Sequence, residues 1–315
     1  MTVRDVIERY GTGLAGLALF IVFAAIAPRF LDPTNLLNVL KHASVLALFA
    51  LGATLALVTA ELDLSFANVA SLAAVVTGYL VHKGDPALLA VAAGLATGTL
   101  AGFFNGLVVT RLKVPSLIAT LGTAAIANGF AFMATQGVAF VGRWPTEFTM
   151  LARGTVLGIP APVLWVAAAA LIALFVLKET RLGLHMTATG DAEEAARLAG
   201  VATARMKLIG LTLSGFCAGF GAVLLAADLS SAAPNMAGDY LLQAIAAVLL
   251  GMTMIEPGHA NVPGTLIGAL ILAVLNNGLV LVGAPYFVQD ILLGVTIVGA
   301  VAVSASVIKR AAFAV

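Results

Sequence analysis

Four histidines, His42, His82, His185 and His259, and a single cysteine, Cys217, are the chain's usual stock of metal ligands and nucleophiles. The histidines are scattered and none stands at metal-ligand spacing, so no metal site is expected. Hydrolytic or transferase chemistry would need converging His, Asp or Ser groups, and none converge at a recognisable spacing, so no catalytic residue is named. No Gly-Lys pair occurs anywhere, which removes the phosphate-cradling pattern GxxxxGK[ST]. What remains is hydrogen-bonding chemistry: the amides Asn105, Gln243, Asn276 and Asn277 within apolar runs, and Asp63 with Ser65 between two of them. Such groups can bond a passing polar solute or a neighbouring helix, and for each taken singly the interhelical bond is the preferred reading. Asp63 with Ser65 reads first as the cap that starts a helix.

The elements that must position these groups are set by composition. Of 315 residues 61% are hydrophobic and 10% charged, where soluble domains run near 45–50% apolar and ~25% charged. A spanning helix needs about 20 apolar residues. Ten candidates follow, at 11–28, 38–59, 66–82, 87–110, 115–136, 162–178, 207–227, 241–256, 263–283 and 287–308. The fold class is an all-α membrane protein, one transmembrane domain over 1–315 with no room for a soluble domain of ordinary size. The net charge of +1 and the lack of a long basic run give no reason to expect nucleic acid.

The first apolar stretch could pass for a signal peptide, with Ala25-Ile26-Ala27 as its cleavage site. An uncleaved span is preferred, because Arg4 and Arg9 are balanced by Asp5 and Glu8 and Pro28 would follow the cut. With the N-terminus inside, eleven of the sixteen Lys and Arg fall on the inner side, among them Lys178, Arg181, Arg197, Lys207, Lys309 and Arg310. That asymmetry favours an even span count with both termini cytoplasmic.

Gly94, Gly98, Gly102 and Gly106 recur every fourth residue on one face of the fourth span, a small-residue ladder that lets two backbones approach. Packing inside one subunit is preferred over a subunit interface. A faint duplication relates Glu61, Ala67-Asn68-Val69 and Leu72 to Glu256, Ala260-Asn261-Val262 and Leu266. Duplications are common in transporters, whose solute path tends to lie between the repeats. Glu61 and Glu256 are expected at the inner interface as solvated charges.

The most polar stretch, about 179–206, holds a short helix with both ends marked. Asp191 can serve as N-cap, with Glu194 completing a capping-box spacing and Glu193 adding to an acidic first turn. Arg197 suits the other end and Gly200 a left-handed stop. A helix of about eight residues is marginal alone in water, so it must dock. Ala195 and Ala196 offer a smooth surface for fitting a groove.

Residues 190–201, from Gly190-Asp191 through Ala195-Ala196 to Gly200-Val201, resemble the cytoplasmic coupling motif of ribose-type ATP-binding cassette sugar permeases. Further matches follow in order: Leu62-Asp63-Leu64-Ser65, Asn105-Gly106 with Lys113-Val114-Pro115, Ile118 to Gly122, Ile245 to Val248, Gly264 to Ala269 and Asn277-Gly278. Together they cover roughly residues 38–305. Ala60-Glu61 stands where the family usually has Gly-Gly, Phe66-Ala67 replaces Val-Gly, and Met252 to His259 replaces a Gly-rich run. These departures lie where loops would meet the solute path or the inner mouth.

The resemblance implies a permease subunit of an importer in the bacterial inner membrane, carrying a monosaccharide or related polyol. It implies three partners besides the lipid bilayer: a separate ATPase that uses ATP and Mg, a periplasmic solute-binding protein, and a second permease subunit, identical or homologous. This chain itself would bind no cofactor. Coupling to the ATPase would fall on Gly190, Asp191, Glu193, Glu194, Ala195, Ala196, Arg197 and Gly200. The alternative cargoes are branched-chain amino acids or nucleosides. A gradient-driven secondary transporter is the rival class, disfavoured because most spans lack a central acid, and an intramembrane enzyme is disfavoured further.

Overall fold

The computed structural model describes the backbone of residues 3–313 and the side chains of residues 11–299. Arg4, Arg9, Lys309 and Arg310, which entered the orientation count, lie outside the described side chains. Helix dominates. In chain order the described helices are α1 (Val3–Ile26), α2 (Pro33–Leu57), α3 (Phe66–Lys83), α4 (Ala87–Arg111), α5 (Ser116–Thr135), α6 (Thr146–Arg153) and α7 (Ala161–Glu179). They continue with α8 (Arg181–Asp191), α9 (Glu193–Leu198), α10 (Thr203–Leu229), α11 (Tyr240–Gly251), α12 (Val262–Leu281) and α13 (Tyr286–Phe313). Two small ladders interrupt them, β1 (Phe140–Val141) with β4 (Ser231–Ala232), and β2 (Thr155–Val156) with β3 (Ile159–Pro160).

Proline supplies much of the punctuation. Pro86, Pro115, Pro145 and Pro160 stand at the entries of α4, α5, α6 and α7, where a residue that cannot continue a preceding helix and has a fixed φ begins the next one. α2 starts with Pro33 after Asp32, whose carboxylate accepts the Thr34 amide at 2.8 Å.

Among the described residues six helices, α2, α4, α5, α7, α10 and α12, are long and apolar enough to cross a membrane. α2 and α10 are the most enclosed of them, while α4, α5 and α7 turn most of their surface outward. The main core joins α2, α3, α10, α11 and α12, with Phe49 and Phe66 stacked at 6.2 Å between ring centres. A second cluster around Phe23 and Phe30 ties α1 to α12.

α11 has 12 residues, about 18 Å of helix, well short of the ~30 Å hydrocarbon layer. The span expected over 241–256 therefore ends early, at Gly251. There the α11 and α12 backbones touch: a Cβ on Gly251 would lie 2.5 Å from the Thr265 amide nitrogen, and one on Gly268 2.1 Å from the Ala247 carbonyl.

Candidate functional site

Two breaks in helix give the molecule its local chemistry. After α2 the chain passes through Ala60 at φ +58° and enters α3 at Phe66; after α11 it passes through Ile255 at φ +62° and Gly258 at φ +88° before α12. A glutamate directly follows the left-handed residue in each, Glu61 and Glu256. The Ala-Asn-Val match behind the suspected duplication is not structurally equivalent, since Asn68 lies inside α3 whereas Asn261 precedes α12. What recurs is the left-handed turn and its glutamate.

In the first break (58–65), Asp63 is 3% exposed. One carboxylate oxygen accepts the Ser65 amide at 2.8 Å and the Ser65 hydroxyl at 2.6 Å, and the other accepts the Ser214 hydroxyl of α10 at 2.7 Å. The Ser65 hydroxyl then accepts the Asn105 amide of α4 at 2.8 Å. Ser65 occupies the N-cap position of α3 but makes no capping bond, because its hydroxyl is committed to Asp63. So these three path candidates form an interhelical network, in which Asn105 Oδ1 is left without a partner. Glu61, expected to be solvated, is buried and paired with Lys207 of α10 at 2.7 Å. A buried carboxylate without that cation would carry a large desolvation cost.

The second break (252–261) is held by amides. Asn261 caps α12 by accepting the Gly264 amide at 2.8 Å, and donates to the carbonyls of Gly251, Met254 and His259 at 3.1 to 3.3 Å. Glu256 pairs with Lys178 near the C-terminus of α7, in a contact far more exposed than Glu61 with Lys207.

Between the breaks lies the segment singled out as a coupling helix, and it differs from expectation at its start. Asp191 is the last residue of α8, not a cap; Ala192, at φ −156° and ψ 81°, separates it from α9, which begins at Glu193 without a side-chain cap. The capping box therefore does not form. The physical reason is contact: a Cβ on Gly190 would sit 2.2 Å from the Val58 carbonyl, and Asp191 is 3.4 Å from His259 Nε2. Both residues are spent on the breaks. The far end matches its signal. Gly200 takes φ +86°, with Gly200 N–H on Arg197 O and Val201 N–H on Ala196 O, each 3.0 Å, the two bonds of a Schellman stop. Arg197 pairs with Glu194 at 2.7 Å in the open. Ala196 is buried, while Ala195 and Leu198 face outward.

The short helices thus grip both breaks. Gly190 rests on the first, and Glu193 reaches it through Lys207, which lies 2.7 Å from Glu193 and 2.7 Å from Glu61. Asp191 meets the second through His259. A cavity of about 560 Å³ sits between them, lined by Ala60, Lys178, Gly190, Asp191, Glu256 and His259 among others. Sequence alone missed Lys207, Ser214 and His259; only Lys207 had a signal, as a cation at the edge of an apolar run.

The other three path candidates stand apart from Asp63. Gln243, Asn276 and Asn277 line a cavity of about 350 Å³ with His42, Asp239 and Tyr240. Asn277 exchanges two hydrogen bonds with Asn35, at 2.9 and 3.0 Å, and Asn276 reaches Gln243 at 3.4 Å. Near this end of α2, Lys41 pairs with Asp228, whose carbonyl accepts Arg153 Nε at 2.8 Å. The glycine ladder of α4 lies inside the chain against α10 and α3. Added Cβ atoms on Gly98 and Gly102 would lie 2.3 Å from the Gly215 and Leu211 carbonyls, with Gly106 closing on Leu208 and Gly94 on Thr77.

Residues 35–301 match the profile of the family described as branched-chain amino acid transport system / permease component. The chain is 36% identical to the ribose import permease protein RbsC of Bacillus subtilis over 94% of its own length and 92% of that protein. It is 38% identical to the ribose import permease protein of Escherichia coli K12, over 92% of this chain and 91% of the relative. The autoinducer 2 import system permease protein LsrC of Salmonella typhi is 32% identical, with 91% and 82% covered. No solved structure matches.

Proposed function

The chain belongs to the family of branched-chain amino acid transport system permease components, and from that premise we propose that it forms the channel of an ATP-driven importer for a monosaccharide or related polyol. It is a multi-pass inner-membrane protein. The observation that carries the mechanism is the simultaneous grip of α8 and α9 on both breaks. Setting aside α6, α8 and α9 leaves ten crossings in a single domain over 1–315, with both termini and the 179–206 loop in the cytoplasm. α11 crosses only in part, and its break completes the passage. A separate ATPase, using ATP and Mg, engages Glu194, Ala195, Arg197 and Leu198 on the open side of α9. Its closure displaces α8 and α9, and the second break moves with Asp191. The first break is fixed by Asp63. Movement of one break against the other opens or shuts the 560 Å³ cavity, a rigid-body gating step.

The solute reading rests on the outer cavity. Its lining carries Gln243, Asn276, Asn277, Tyr240, His42 and Asp239, with no Lys or Arg among the described residues to hold a carboxylate. Hydroxyls suit that inventory better than an amino acid does, and the relatives named for ribose import agree in kind. An exported solute-binding protein delivers to this end, and a second permease subunit completes the pore. Uptake of radiolabelled ribose by proteoliposomes holding this chain, its ATPase and its binding protein tests the reading. Uptake that requires ATP and fails in Gly190→Val supports it; uptake indifferent to ATP and abolished by a protonophore contradicts it.

A further inference from the structure

The connection between α6 and α7 has a conformation and a chemistry that do not suit water. β2 and β3 are joined by Leu157 at φ +53° and Gly158 at φ +81°, the two left-handed positions of a tight primed hairpin turn. Asn or Asp is the ordinary residue at the first of these; here it is leucine, 98% exposed. Its neighbours Val156 and Ile159 are exposed as well. The hairpin is closed at its base by the Ala161 amide on the Gly154 carbonyl at 2.8 Å, so Leu157 is held away from the bundle.

Continuity says what covers it. No charged residue occurs between Arg153 and Lys178, so the hairpin and α7 form one uncharged stretch. α7 begins at Ala161, directly after β3, and presents most of its surface outward along an apolar span. Trp165, one turn into α7, is itself exposed and donates its indole N–H to the Leu151 carbonyl of α6 at 3.1 Å. An exposed Trp at the head of a span marks the headgroup level of a bilayer. The charges of this region, Arg143, Glu147 and Arg153, all lie before the hairpin.

We propose that the β2–β3 hairpin is a lipid anchor: Val156, Leu157 and Ile159 insert at the headgroup and acyl boundary beside α7 and fix the height of α6 on the membrane surface. The occupant is the bilayer, not a partner protein. The inference rests on α7 spanning the membrane and is independent of the solute and of the ATPase.

The test uses the full chain in phosphatidylethanolamine and phosphatidylglycerol vesicles. Leu157→Cys and, as an aqueous control, the exposed Glu147→Cys are each labelled with an environment-sensitive fluorophore in a Cys217→Ala background. At position 157, quenching by shallow doxyl lipids should exceed that at 147 by at least roughly twofold, with the order reversed for aqueous iodide. Equal access of iodide to both positions would overturn the proposal. So would iodide access at 157 that disappears only when the solute-binding protein is added, because the hairpin would then be a protein docking site. Leu157→Asn suits the turn better and should nevertheless lower the melting temperature in vesicles; a rise there would place the tip in water.

Discussion

The two helix breaks share a left-handed residue followed by glutamate, yet they are held by opposite means. In the first, Asp63 binds Ser65 and Ser214, Ser65 binds Asn105, and Glu61 is buried against Lys207. Ionised groups at depth are costly unless fully partnered, so such a network exists in one arrangement or fails. In the second, Asn261 bridges backbone carbonyls, and the Glu256 and Asp191 contacts lie near the surface, where ion pairs contribute little. The lesson is mechanical. In the proposed mechanism the first break is the anchor and the second the movable part, and α8 with α9 is attached to both.

The comparison breaks most visibly at the shared attachment. Gly190→Val forces side-chain atoms into the Val58 carbonyl and should abolish ATP-driven uptake while leaving the protein inserted, read by transport in proteoliposomes against membrane yield. Next comes Lys207→Met, which strands Glu61 and Glu193 without their cation and should cost about 3 kcal/mol, as a lowered melting temperature. Adding Glu61→Gln to Lys207→Met should recover part of that loss, because the stranded charge is then gone. Glu256→Gln, the matching change in the second break, should cost under about 1 kcal/mol; a loss equal to that of Lys207→Met would erase the contrast. Smallest is Ile255→Gly. Relief of a β-branched residue from the left-handed region, less the extra entropy of glycine, should raise stability by about 0.5 kcal/mol.

Helix positions were legible because bilayer spans are long apolar runs bounded by Pro, Gly and charge. α4 ends at Arg111 and α7 at Glu179, within a residue of where those signals fall. The ladder from Gly94 to Gly106 was legible for the same local reason. The start of the coupling segment was not. Asp191 and Glu194 carry the spacing of a capping box, but tertiary contacts through Gly190 and Asp191 override it, and nothing within twenty residues announces Val58 or His259. The six path candidates shared one chemistry in the sequence; only the fold separates Asp63, Ser65 and Asn105, tied to one another and to Ser214, from Gln243, Asn276 and Asn277 around a cavity. Glu61 read as a surface charge because its partner lies far along the chain.

In the proposed mechanism α8 and α9 drive the second break through the contact of Asp191 with His259. Asp191→Ala and His259→Ala each remove that contact while keeping Gly190 and Glu193, and ATP-driven uptake and ATP hydrolysis are measured in the assembled transporter. Uptake lost in both variants while hydrolysis and membrane yield persist is the expected result; undiminished uptake in both would contradict it.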